Sequence, residues 1–189
     1  MEYAFNKQSM MEYALNKQRW MNMNIQLDFT FESGKGQPKD SFAAGITEIV
    51  EGLFVGGEED VSDVLPFVQV WIDLRDENPW NRIVEIPSHV VYMRIPIADG
   101  DIHRAYPVFR YAKHIAEHTL QQGEKVVISC HAGVSRSAVL AWWILADMWK
   151  DPQKAWSHIK QKRPCVEPDD RFLPFIKEHI LSIACCSHD

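Results

Sequence analysis

No stretch of this 189-residue chain is long and apolar enough to cross a bilayer as a helix, which takes about 20 consecutive apolar residues. Residues 1–20 carry charges throughout and hold no apolar core segment, so they do not read as a secretory signal. Cysteine is scarce. The four are Cys130, Cys165, Cys185 and Cys186, and none falls at zinc-finger spacing. The adjacent pair near the C-terminus reads as free thiols rather than a disulfide framework. An excess of positive charge is also missing: 20 Lys and Arg face 26 Asp and Glu, a formal charge of −6, which argues against nucleic acid as a general partner. Gly34-Lys35-Gly36-Gln37-Pro38 lacks the Lys-Ser/Thr ending and the preceding buried strand of a nucleotide-binding loop, and reads as a linker. His114 and His118 stand four apart on a helical pattern. They have neither an intervening Glu in the protease pattern nor a clear third ligand, so a solvated face is expected and no metal site.

What is present is an ordinary globular composition, 46% hydrophobic, in a chain of the length of one domain with an extension. Met1-Glu2-Tyr3-Ala4-Phe5-Asn6-Lys7-Gln8 recurs as Met11-Glu12-Tyr13-Ala14-Leu15-Asn16-Lys17-Gln18. Two copies are too few for a solenoid. The expected organisation is an N-terminal extension over residues 1–44, a domain over 45–183 and a tail over 184–189.

The informative stretch is Val126-Val127-Ile128-Ser129-Cys130-His131-Ala132-Gly133-Val134-Ser135-Arg136-Ser137. It opens with an apolar, β-branched run that reads as a buried strand. A tight polar segment follows, then an apolar run from Ala138 to Met148 that reads as a buried helix. The segment between them therefore sits at a helix N-terminus, where unpaired N–H groups and the helix dipole favour an anion. Cys130 and Arg136 bracket it. Beside that terminus and that cation, the sulfur of Cys130 is favoured as thiolate. Arg136 supplies a planar fork matched to phosphate oxygens. Gly133 lets the segment curl without a Cβ clash, and Ser137 is placed to hydrogen-bond the sulfur. A nucleophile at the bottom of a cradle for tetrahedral dianions is equipment for phosphoryl transfer through a covalent thiophosphate. A buried structural cysteine would account for none of the strand, glycine or Arg-Ser pair around it.

Around this stretch the pattern predicts strands at Ile46–Val50, Leu53–Val55, Val68–Leu74 and His89–Ile95. Short helix is expected over Glu58–Leu65, loop at Asn78–Asn81, and a helix that Pro107 starts and Gly123 closes. Another helix begins at Asp151-Pro152, and a last one runs to about Ser182. Asp73 and Arg75 read as a structural ion pair or cap, with a catalytic role as the minor alternative. Strands alternating with helices predict an α/β domain with a twisted, mostly parallel central sheet flanked by helices.

Cys130 through Ser137 resembles the Cys-x5-Arg-Ser signature of the cysteine-dependent protein phosphatases, and the Ala-Gly-Val-Ser-Arg-Ser form is similar to the dual-specificity branch of the protein tyrosine phosphatase superfamily. The likeness covers about Ile46 to Ile180. It implies a protein tyrosine phosphatase-like fold and hydrolysis of phosphotyrosine and phosphoserine/phosphothreonine in protein substrates through a cysteinyl-phosphate, with no metal or cofactor. In that reading Cys130 is the nucleophile. His131, Ala132, Gly133, Val134, Ser135 and Arg136 bind the phosphate, and Ser137 assists the leaving thiolate. The family usually has His immediately before the Cys, where this chain has Ser129. Its closing Arg-Pro and Pro-Asn segment is matched by Arg163-Pro164 and Pro168-Asp169, with Asp169 where Asn is common.

The family takes its general acid from the loop that precedes the long helix. Here that loop is Ile95-Pro96-Ile97-Ala98-Asp99, with Asp99 at the matching position and Asp101 as the alternative. Asp is also frequent in loops for backbone reasons alone. Branches acting on phosphoinositides, other lipids or RNA 5′ ends often carry extra basic residues in the signature. This one has His131 and no Lys, and the chain is acidic, which favours protein substrates. A catalytically weak phosphopeptide-binding module is the remaining alternative. A thiolate enzyme needs a reducing compartment, so a cytoplasmic location is expected.

Overall fold

The structure, a computed structural model, describes residues 45–77 and 85–186. The N-terminal extension with its repeat, the Gly34–Pro38 linker and the Asn78–Asn81 loop lie outside the described residues. No described helix is long and apolar enough to cross a membrane.

The strands are β1 (Thr47–Val50), β2 (Leu53–Gly57), β3 (Val70–Asp73), β4 (Val91–Arg94) and β5 (Val126–Cys130). They form one sheet in the order β1-β2-β5-β3-β4. β1 pairs antiparallel with β2, and β2, β5, β3 and β4 run parallel. β5 takes the middle because each of its residues is buried, and only a strand covered on both faces tolerates an unbroken β-branched run. Val126, Val127 and Ile128 are wholly excluded from solvent, worth about 1.5–3 kcal/mol per side chain as an upper estimate. Parallel pairing brings the carboxyl ends of four strands to one end of the sheet. The segments after β2, β3, β4 and β5 gather there, where open α/β sheets place ligands.

Three regular helices follow: α1 (Ile102–Gln121), α2 (Arg136–Trp149) and α3 (Pro152–Lys162). α2 is buried over most of its length, from Arg136 through Trp142 and again at Ile144–Ala146. This agrees with its nearly unbroken apolar sequence. The Asp151 carboxylate accepts from Lys154 N at 2.9 Å and Pro152 takes the first turn of α3, as that dipeptide predicts.

The structure corrects the sequence-based expectation in three places. α1 begins at Ile102, not at Pro107, because the Asp101 carboxylate accepts from Arg104 N at 3.2 Å and caps the helix a turn earlier. Pro107 then lies inside α1, near enough to its start that the missing N–H costs one hydrogen bond. The segment after β2 forms only two 3-10 turns, Val61–Asp63 and Leu65–Phe67, with Val61 and Leu65 as apolar anchors. A piece that short does not repay helix nucleation, and Pro66 removes a donor from it. The closing segment is not one uniform helix. It changes pitch through a 3-10 turn (Asp170–Phe172), an α turn (Leu173–Phe175), a wider π stretch (Ile176–Ile180) and 3-10 turns to Cys186. Phe172, Phe175, Ile176 and Ile180 anchor it in the core.

Ser129, the residue before Cys130, is fully buried, and its Oγ accepts the indole N–H of Trp71 at 2.7 Å. The hydroxyl at this position thus satisfies a donor that is otherwise stranded in the core. Ser129→Ala leaves that N–H unpaired and should destabilise the fold by about 1–3 kcal/mol, read as a lower midpoint in urea with an unchanged slope. An unchanged midpoint would show that the bond adds nothing.

Candidate active site

β5 delivers Cys130 to the sheet's carboxyl end with only 2% of its surface exposed. Residues His131–Ser135 curl from there into the first turn of α2. Three of their carbonyls are satisfied from outside. His131 O accepts from Glu58 N at 3.1 Å, Gly133 O from Arg163 Nε at 2.8 Å and Val134 O from Glu167 N at 3.0 Å. A trans peptide points its C=O and the following N–H in opposite directions. The same bonds therefore turn the N–H groups of Ala132, Val134 and Ser135 toward the inside of the curl. Gly133 sits at φ 68°, and a Cβ there would lie 2.3 Å from the Gly56 carbonyl carbon and 2.5 Å from Gly57 N. Only glycine fits both that conformation and that approach.

The Cys130 sulfur is 3.3 Å from Ser137 Oγ. Arg136, 3% exposed, reaches under the loop. Its terminal nitrogens are already engaged. Nη1 donates to Asp76 Oδ1 (3.0 Å), Glu77 Oε2 (3.1 Å) and Ile97 O (3.1 Å), and Nη2 donates to Glu77 Oε1 (2.8 Å). Its Nε is buried with no hydrogen-bond partner and lies 4.0 Å from Asp99 Oδ1. A buried guanidinium donor without an acceptor is costly, and a bound anion would supply one. Burial alone would lower the Arg136 pKa. Glu77, the Cys130 sulfur and Asp99 outweigh it and raise the pKa above the usual arginine value. Burial alone would likewise raise the Glu77 carboxyl, but the hydrogen bonds and charge of Arg136 hold it down at about 2.

Asp99 lies in the loop between β4 and α1. Its Oδ1 accepts from Ser135 Oγ at 2.7 Å, which puts the carboxyl at the rim of the curl. Asp101, the alternative acid of the sequence reading, is turned to the cap of α1. His131 is at the rim too, its Nδ1 2.7 Å from Glu58 Oε1. Glu58 also pairs with Arg75. Arg75 forks onto the fully buried Asp73 (Nε–Oδ1 2.8 Å, Nη2–Oδ2 2.7 Å), so the expected structural ion pair is there. Tyr92 donates to Asp73 Oδ2 at 2.9 Å, and burial together with the Asp73 charge pushes its hydroxyl up to about 12.

Sequence reasoning missed several supporting residues. Arg163 stood out only as part of the Arg163-Pro164 pair, with no role assigned, yet it is 1% exposed and binds Gly133 O, Gly45 O and Thr47 Oγ1. Glu58, Asp76 and Glu77 gave no signal beyond lying after predicted strands. His114 and His118 are exposed on α1, away from the core face. Among the described residues no group of three His, Cys, Asp or Glu could hold a metal ion.

With this geometry in hand, the chain can be compared with known proteins. A family model described as "Dual specificity phosphatase, catalytic domain" matches residues 53–180. The Caenorhabditis elegans "Tyrosine-protein phosphatase vhp-1" is 28% identical over 148 residues, covering 72% of this chain and 22% of that protein. The mouse "Dual specificity protein phosphatase 8" is 25% identical over 151 residues, covering 75% of this chain and 22% of that protein. The chain thus spans about a fifth of the length of these relatives. The Pongo abelii "Serine/threonine/tyrosine-interacting protein" is 29% identical, with 70% of this chain and 63% of that protein covered. Among solved structures, human tyrosine phosphatase-like serine/threonine/tyrosine-interacting protein superposes with a TM-score of 0.62 at 21% identity, over 71% of this chain and 94% of that one. Human DUSP28 superposes with a TM-score of 0.63 at 18% identity, over 74% and 95%. These two likenesses speak to the fold alone.

The Arg136–Glu77 contact generates a prediction. Because the folded carboxyl titrates below its unfolded value of about 4.3, the contact is complete above that range and fades only as pH falls toward 2. Any anion approaching Arg136 near neutral pH therefore competes with ionised Glu77. Glu77→Gln should tighten binding of inorganic phosphate or tungstate about three- to tenfold, measured by calorimetry at pH 6–7. Unchanged affinity would mean that the carboxylate does not compete.

Proposed function

The chain belongs to the dual specificity phosphatase family, and on that premise we propose that it hydrolyses phosphotyrosine and phosphoserine/phosphothreonine in protein substrates through a cysteinyl-phosphate on Cys130. The observation that carries the proposal is the convergence on one curl of backbone of a buried sulfur, a buried guanidinium with a free Nε and the Asp99 carboxyl at the rim.

The steps follow from these positions. The phosphate enters the curl, where inward N–H groups and Arg136 Nε bind its oxygens. The Cys130 thiolate attacks phosphorus, the S–P bond forms, and the bond to the substrate oxygen breaks. Asp99, protonated, gives its proton to that oxygen. Asp99, now a carboxylate, takes a proton from water as the water attacks phosphorus. The S–P bond breaks and inorganic phosphate is released. Ser137 Oγ, 3.3 Å from the sulfur, donates to the departing thiolate. General acid–base assistance of this kind is worth about 10²- to 10⁴-fold in rate. The chemistry needs no metal or cofactor. The half-exposed His131, with no Lys in the curl, supports protein rather than phosphoinositide substrates. A thiolate nucleophile works in a reducing compartment, so cytoplasmic placement is part of the proposal.

One observation favours a second reading, a phosphopeptide-binding module with weak turnover. Both terminal nitrogens of Arg136 are held by carboxylates, which a phosphate must displace or share. Hydrolysis of an aryl phosphate by the full chain separates the two. Under the enzyme reading, turnover persists in EDTA, and Cys130→Ser abolishes it while phosphate still binds. Binding without turnover in the unmodified chain supports the module, and substantial hydrolysis by Cys130→Ser overturns the covalent route. A panel of phosphopeptides and phosphoinositides then sets the substrate class.

The acid makes its own prediction. Asp99→Asn cannot donate a proton, so activity should fall far more on phosphothreonine peptides, whose alkoxide leaves poorly, than on activated aryl phosphates. The basic limb of the pH–rate profile should flatten while the acidic limb stays. A flattened limb with Asp101→Asn and an unchanged profile with Asp99→Asn would transfer the role to Asp101.

A further inference from the structure

The loop of Asp99 is tied to a second segment that the chemistry above does not use. Ser135 Oγ, which donates to Asp99 Oδ1 at 2.7 Å, accepts from the backbone N of Asp169 at 3.0 Å. Asp169 in turn grips Arg171 with both oxygens, Nε–Oδ1 at 2.8 Å and Nη2–Oδ2 at 2.6 Å. The Arg171 side chain is 66% exposed, yet this fork-to-fork pairing fixes its plane. The guanidinium lies directly against Gly100, the residue after Asp99. A Cβ on Gly100 would come within 2.3 Å of Arg171 Nε and 2.6 Å of Cζ. Contacts thus run in a closed ring from Ser135 to Asp99, Gly100, Arg171 and Asp169, and back to Ser135. The ring joins the phosphate curl, the acid's loop and the turn before the closing helical segment.

We propose that Asp169 and Arg171 are positioning residues that hold Asp99 over the Cys130 cradle. The proposal deepens the reading of Asp99 as the general acid and rests on it. On its inner side the acid's loop is held near Ile97, whose N donates to Leu74 O at 3.1 Å and whose O accepts from the Arg136 guanidinium at 3.1 Å. On its outer side Arg171 closes against Gly100. Gly100 sits at φ 75° in a turn closed by Asp101 N to Ala98 O (3.1 Å) and Ile102 N to Gly100 O (2.9 Å), and the Arg171 guanidinium packed on its Cα adds a side-chain restraint to that turn. Placement matters because a shift of about 1 Å in a reacting group can cost on the order of 10²-fold in rate. The pair also matches its setting in charge. The hydrogen bonds and charge of Asp169 hold the Arg171 cation in its charged form, and the Asp99 charge adds to this. Asp169 faces Arg171 on the outside while Arg136 faces Asp99 on the inside.

The test uses the full chain and two substrates, an activated aryl phosphate and a phosphothreonine peptide, with Asp99→Asn measured alongside. Arg171→Ala should lower kcat on the peptide about tenfold, leave the aryl phosphate within about threefold and leave KM for both nearly unchanged. The basic limb of its pH profile should lose steepness and the acidic limb stay in place. Asp169→Asn, which keeps one acceptor for the fork, should show the same pattern with smaller amplitude. Arg171→Lys, which keeps the charge but not the planar contact on Gly100, should recover only part of the loss. If Asp99→Asn discriminates between the substrates and Arg171→Ala lowers both equally or neither, the positioning role is overturned while the acid assignment stands. If Asp99→Asn itself does not discriminate, the acid assignment fails and the positioning role fails with it.

Discussion

A peptide group has one donor edge and one acceptor edge, pointing opposite ways, and the curl after β5 can offer donors inward only if its acceptors are satisfied outside. The structure around the candidate site depends on that constraint. Glu58 N, Arg163 Nε and Glu167 N take the carbonyls of His131, Gly133 and Val134. They come from the segment after β2, the end of α3 and the turn beyond it. The inward-facing curl is therefore shaped by residues that never face its interior. Arg163 is the costliest of them to bury, since a guanidinium taken out of water loses the hydration of every donor and regains only what its protein partners supply. Its Nε donates to Gly133 O and its Nη1 to Gly45 O and Thr47 Oγ1, which clamps the start of β1 to the curl, while its buried Nη2 has no hydrogen-bond partner.

The second constraint is charge. Asp76, Glu77 and Asp99 surround the single guanidinium of Arg136. A cation so surrounded is fixed in direction, and its unpaired Nε is what remains for a ligand. The cluster keeps Arg136 oriented at the expense of electrostatic attraction for a second anion. A dianion would win only by bringing several acceptor oxygens to a curl lined with N–H groups. Under the proposed function, affinity would be set by the balance between internal carboxylates and backbone donors rather than by the arginine alone.

A third set of contacts sits farther out. Glu58 links His131 to the Arg75–Asp73 pair beneath the sheet's end, and Asp169 links Ser135 to Arg171. Each places an ion pair behind a residue of the curl. Through them the rim of the site is coupled to the sheet on one side and to the closing segment on the other. Ser129 carries the same logic inward, since its hydroxyl serves the Trp71 indole and keeps the floor of β5 closed.

How much of this was legible follows from the range of the forces involved. The sequence alone determined the elements whose causes are local. The β-branched run of β5, the apolar length of α2, the Asp151-Pro152 start of α3 and the Asp73–Arg75 pair lie within a few residues of their determinants, and spacing sufficed. The signature from Cys130 to Ser137 was readable because strand, curl and helix are continuous in the chain. Local signals also misled. Pro107 looked like a helix start, but the Asp101 cap a turn earlier was decisive, because a carboxylate that meets a free N–H outweighs a missing donor further in. Only the tertiary structure decided which carboxylate faced the curl, since Asp99 and Asp101 are two residues apart and equivalent in composition. The difference lies in what each meets: Ser135, brought from 36 positions away, for one, and the first turn of its own helix for the other. Glu77 and Arg171, and the contacts of Arg163, were invisible for the same reason. Their partners are set by parallel strand pairing that brings distant loops to one end of the sheet, and no local pattern encodes which charges meet there.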